Sequence, residues 1–172
     1  MTSLAVRRLL LTVHVTSSVG WMGAVCVFLA LAGMGLTSQD AATVRAVYLA
    51  MEPAAWLTLV PFAFASLVTG VVVSVTTTWG LFRHYWVVFK LLIALFATFV
   101  LMIYMQTFRQ MAVVAADPAR DLAAIRNPSP LLHAVLALLI LSVAVVLAIY
   151  KPQGITPYGR RRHRNGRASS QS

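Results

Sequence analysis

Charge is what this chain has least of. Only 10% of its 172 residues are charged, and just four are acids: Asp40, Glu52, Asp117 and Asp121. Soluble domains carry roughly a quarter of their residues as charges. A soluble bundle of buried helices would therefore lack the polar surface to cover itself. Cysteine is nearly absent too. With Cys26 alone, neither an intramolecular disulfide nor a cysteine-based metal cluster can form. Its thiol falls within an apolar run and reads as a small packing group. The chain has no phosphate-cradling glycine–lysine loop, which argues against ATP-driven activity by this chain alone. Nor do its loops hold the residue clusters of an extracellular hydrolase, and no internal repeat is evident.

What it has instead is apolar length. Hydrophobic residues make up 60% of the sequence. A helix needs about 20 apolar residues to cross a bilayer, and four stretches qualify: 9–36, 53–76, 85–105 and 131–150. The expected fold class is all-α, an integral membrane four-helix bundle over residues 1–150. Arg7 and Arg8 precede the first run, but it is much longer than the apolar region of a cleaved signal peptide. It reads as an uncleaved signal-anchor.

The few charges are unevenly placed. Arg7 and Arg8 flank the first span, Arg83 lies between the second and third, and Lys151 opens the C-terminal segment. Arg160, Arg161, Arg162, Arg164 and Arg167 follow it. All four acids lie in the two other loops, partly balanced by Arg45, Arg109, Arg120 and Arg126. Excess Lys and Arg marks cytoplasmic loops. Both termini are thus expected in the cytoplasm of a bacterial cell, with the inner membrane as location. Residues 151–172 have almost no apolar content and are expected to be a disordered tail. Its basic run beside a membrane favours anionic lipid headgroups, at about 1 kcal/mol per cation. No nucleic-acid module accompanies it.

Small residues punctuate the first two spans. Ser17, Ser18, Gly20, Gly23 and Ala24 suit close helix packing. The second span contains Pro61, which predicts a kink, and carries Ser66, Thr69, Gly70 and Ser74. The loops near 37–52 and 106–130 are compatible with short surface helices.

Ionisable groups inside a span are costly and usually face the bundle interior with partners. The candidates are His14, Lys90 and His133. His14 lies six residues beyond Arg8, and Lys90 six beyond His84, each about 9 Å of helix rise. The first and third spans run in the same direction, so His14 and Lys90 should share a depth, with His133 towards the opposite face. Two readings stand for Lys90. It snorkels to the headgroups with its methylenes in lipid, or it faces inward beside His14. Helical spacing sets Ser17, Ser18 and Trp21 on the His14 face, and Trp86, Ala94, Ala97 and Tyr104 on the Lys90 face. The alanines leave room for a flat partner or a close helix. A neutral imidazole in a membrane bundle is a natural ligand for b-type haem. Copper is the competing metal, because Met22, Met34, Met102 and Met105 offer thioether sulfur.

The segments HVTSSVGWMGAV (14–25) and VTGVVVSVTTTWGLFRHYWVVFKLL (68–92), with the four-span layout, resemble a bacterial family of integral membrane proteins defined by domain of unknown function 2269. The resemblance covers roughly residues 5–150 and implies a four-helix membrane fold. More distantly, His14, Trp21 and Gly23 resemble the first span of copper-resistance D-like proteins and of HemJ-type protoporphyrinogen oxidases. In the latter a first-span histidine binds haem and a third-span lysine is required, positions that His14 and Lys90 match. Those oxidases continue the first span with an arginine and a Tyr-His pair, where this sequence has AVCVFLALAGMGL. The resemblance therefore implies a haem pocket of His14, Trp21 and Lys90 rather than the oxidase activity. A cofactor-free accessory subunit, a homo-oligomer or a copper-handling protein are the other expectations.

Overall fold

The computed structural model describes residues 3–77 and 80–161. It is built from five α-helices: α1 (Leu4–Thr37), α2 (Ala41–Ala54), α3 (Val60–Thr76), α4 (Tyr85–Ala116) and α5 (Ser129–Tyr150). Four spans are long and apolar enough to cross a membrane, since α2 and α3 are two halves of one. The spans alternate in direction around a square. Here α1 and α4 occupy diagonal corners, each packed against α3 and α5.

Helix ends follow local chemistry. The Ser3 hydroxyl accepts from Val6 N–H at 3.3 Å and starts α1. Asp40 starts α2, its carboxylate accepting from the Ala42 and Thr43 N–H groups at 3.2 and 3.0 Å. These donors would otherwise be unpaired at a helix start.

The second span bends its rules at its centre. A π-turn over Ala55–Leu59 joins α2 to α3 just before Pro61. Proline has no N–H and its ring crowds the carbonyl four residues back, so the chain widens by one residue there. The Thr58 hydroxyl donates to the Ala54 carbonyl at 2.7 Å, satisfying one group the irregularity disturbs. Buried residues recur at every fourth position through this stretch: Met51, Ala55, Leu59 and Ala63. In a regular α-helix that spacing would drift by about 40° per repeat. The extra residue of the π-turn absorbs the drift and keeps the buried stripe inward. The predicted disturbance at Pro61 is thus a π-turn one turn earlier.

The core is concentrated at the end away from the termini. Phe28 of α1 and Phe108 of α4 meet across the diagonal, ring centroids 5.5 Å apart. Val44 and Tyr48 of α2 are wholly buried in the same apolar cluster. A Cβ on Gly35 would lie 2.9 Å from the Tyr48 ring, so α1 and α2 can approach only because that position is glycine. The short helix expected near 37–52 is α2, which buries Val44, Val47, Tyr48 and Met51 and is continuous with the second span. The third span likewise runs on to Ala116. Hydropathy alone ended both early, because their extensions alternate small, polar and apolar residues.

At the other end, Thr156 N–H donates to the Arg83 carbonyl at 2.9 Å, and its hydroxyl donates to the Phe82 carbonyl. Tyr85 N–H donates to Gly154 O at 3.3 Å. The start of the predicted disordered tail, up to Arg161, therefore packs on the 80–84 turn, whose backbone groups need partners that Thr156 and Gly154 provide. Residues 162–172, including Arg162, Arg164 and Arg167, lie outside the described residues, as does Trp79. Of the small residues in α1, Ser17 is buried and Gly20 packs on Phe62, whereas Gly23 is exposed and a Cβ there would meet nothing within 4 Å. Cys26 is also exposed. These two belong to an outward face of α1, not to a helix interface within the chain.

Candidate functional site

A polar seam joins α1 to α3 in the half of the bundle that carries the termini. His14 Nδ1 lies 3.1 Å from Thr69 Oγ1, and Ser18 Oγ lies 2.7 Å from Ser66 Oγ. Thr69 has one hydroxyl proton, which it donates to the Ala65 carbonyl at 2.5 Å. With that proton committed, Thr69 Oγ1 is an acceptor toward Nδ1, which assigns the hydrogen to Nδ1 in the neutral ring. Ser17 and Ser18 both donate to the His14 carbonyl, at 3.1 and 2.8 Å, which ties the local backbone of α1. Ser18 thereby commits its own proton at 2.8 Å, leaving Ser66 Oγ as donor in their pair.

Gly70 makes the seam possible. A Cβ there would stand 3.0 Å from His14 Cε1, so the imidazole edge rests on bare α3 backbone. A side chain at that position would push the ring off Thr69.

Lys90 stands on the diagonal helix, α4. It is half-buried, and its Nζ lies 5.8 Å from the centroid of the buried Trp86 ring one turn back. Helical side chains lean toward their own N-terminus, and a cation over an indole face is attracted by the ring quadrupole. His14 and Lys90 thus stand on diagonal helices, with Ser66, Thr69 and Gly70 on the α3 side of the histidine.

Trp21 does not join them. It lines a separate apolar cleft of about 340 Å³ further along the bundle, with Phe96, Ala97, Tyr104, Phe108 and His133. The face of α4 that begins at Lys90 continues into this cleft through Ala97 and Tyr104, so the room left by the alanines lies beyond the lysine. His133 belongs to the cleft: its ring stacks on Tyr104 with centroids 4.1 Å apart. Nδ1 donates to the Ser129 carbonyl at 2.8 Å. Sequence spacing on one helix grouped Trp21 with His14, but two helical turns separate them along the axis.

Among the described residues no three His, Cys, Asp or Glu side chains gather to hold a bare metal ion. Met105 is buried in the core while Met34 is exposed, so these two thioethers face different surroundings. Thr69 and Gly70 were visible as polar and small residues in the second span. Their role as the partner and the rest of His14 depends on the rotation of α3, which the sequence does not display. No family model, curated protein or solved structure matches the chain.

Proposed function

We propose that this chain is a small multi-pass protein of a bacterial inner membrane that holds b-type haem or a related porphyrin through His14, with Lys90 beside it. The observation that carries the reading is the seam. Its Thr69 hydroxyl pairs with Nδ1 of His14, which would leave Nε2 as the ligating nitrogen of a ring seated on Gly70. A hydrogen bond at the distal nitrogen is what fixes and strengthens a ligating imidazole. A single histidine suits a porphyrin, whose own nitrogens supply the equatorial donors.

His14 is the residue that would bind the iron. Lys90 is the one that would pair a propionate or hold a proton near it. Bound haem would supply one-electron chemistry; this chain's part is to orient the imidazole, place a cation opposite, and keep water out with the surrounding apolar spans. The charge pattern supports cytoplasmic termini, because Arg7, Arg8, Arg83, Lys151, Arg160 and Arg161 belong to the terminal end of the bundle. The same cations suit anionic lipid headgroups.

The test is an absorption spectrum of detergent-purified protein from cells supplied with a haem precursor. Wild type is expected to show a Soret band that His14→Ala abolishes. Lys90→Met should retain the band but release haem several-fold more readily, in line with about 1 kcal/mol for a partly exposed ion pair. A folded, colourless wild type would overturn the proposal, and a stoichiometric membrane partner would then be sought.

A further inference from the structure

The cleft around Trp21 and His133 is a second site with different chemistry. It exists because Ala97 of α4 and Ala134 and Ala137 of α5 put small side chains where large ones would close the bundle. Its volume, about 340 Å³, lies within the range of roughly 300–1,000 Å³ common for small-molecule pockets. Phe96, Leu136 and Ile140 carry its lining out to the lateral surface of the spans.

Water is a poor occupant, since apolar cavities stay dry unless polar groups hold the water. An empty cleft is also unfavourable, because its walls lose their dispersion contacts. A space of this kind opening sideways from a membrane span draws its occupant from lipid-soluble molecules.

One end of the cleft is polar, and it is held in place. His133 Nδ1–H donates to the Ser129 carbonyl at 2.8 Å, and the ring stacks on Tyr104 at 4.1 Å. The Tyr104 hydroxyl is itself paired with Ser129 Oγ at 3.0 Å. In the neutral imidazole Nε2 is then an acceptor without a partner among the described residues. The other walls include the aromatic rings of Trp21, Phe96 and Phe108, which favour a flat ring over a plain acyl chain.

We propose that this cleft binds a lipid-soluble phenol or hydroquinone, its ring between α1, α4 and α5 and its hydroxyl donating to His133 Nε2. The site is independent of His14 and needs no haem.

The experiment uses the full chain in phosphatidylcholine nanodiscs at about pH 8, above the ordinary histidine range. Two probes are titrated, para-decylphenol and its methyl ether, which has the same body but no donor. The signal is the tryptophan fluorescence change present in wild type and missing in Trp21→Phe. Saturable binding of the phenol, with the ether about tenfold weaker, is the expected result for loss of one hydrogen bond. His133→Phe, which keeps a ring against Tyr104, should bring the phenol down to the ether. Equal affinity of the two probes for wild type would overturn the proposal and leave the cleft an acyl-chain groove. So would the absence of saturable binding. Both of these outcomes are read on the wild-type protein, so a variant that fails to fold does not blunt the test.

Discussion

Arg45 shows how a single side chain can organise a loop that composition leaves unexplained. By charge it balances acids; by structure it bonds backbone. Its guanidinium donates to the carbonyls of Ala115, Asp117, Pro118 and Arg120 at 3.1, 2.7, 3.2 and 2.9 Å. The carbonyls at the end of a helix lack intrahelical donors, and a planar cation with five N–H groups can serve several together. The Asp117 carboxylate lies instead 3.5 Å from Arg120. Arg45→Met keeps most of the side chain's bulk and removes the donors. It should destabilise the protein by about 2 kcal/mol and open the 117–121 segment to protease, both measurable by thermal unfolding and limited proteolysis. Unchanged cleavage would show that the loop holds itself.

At the scale of elements, the start of α2 carries a pH dependence whose direction is fixed. The Thr43 hydroxyl, then the Thr43 and Ala42 amides, hold the Asp40 carboxyl below its ordinary value of 3.8. Hydrogen bonds to the charged form favour it. A carboxyl depressed in the folded state stabilises above its unfolded value, and that contribution is lost as pH falls through the folded one. Amide exchange at Ala42 and Thr43 should therefore accelerate as pH drops below about 4, after correction for intrinsic rates. In Asp40→Ala the corrected rates should be flat.

The four spans themselves were legible because hydropathy reports the lipid-facing surface. The first half of the second span was not, since its buried residues, Val44, Val47, Tyr48 and Met51, face protein and are interrupted by Arg45 and Ala46 and preceded by Asp40 and Thr43. Helix rise sets His14 and Lys90 at a common expected depth. What rise cannot supply is rotation. Thr69 as the partner, Trp21 in a different cleft and Gly23 on the outward face all depend on how each helix is turned about its axis.

For the whole molecule, orientation is the remaining consequence of charge. Basic residues cluster at the terminal end, while Asp40, Asp117 and Asp121 fall in the loops at the other and Glu52 lies within the second span. A reporter that is active only in the cytoplasm, fused after Ser172, should be active. One fused within the 117–121 loop should be silent. The reverse pattern would invert the proposed topology, leaving the bundle unchanged.

The π-turn gives the bundle a property of gearing. Each residue of helix is about 100° of rotation, so the count of residues through Ala55–Leu59 sets the angular phase of everything beyond it. Ten residues later, about 15 Å along the axis, that phase decides whether Thr69 meets His14 or points into lipid. A one-residue deletion in the turn would leave α2 seated in its core and turn the His14 wall away as a unit. The second span thus works as two keyed shafts on one coupling, and the histidine's environment is set by the coupling as much as by its own neighbours.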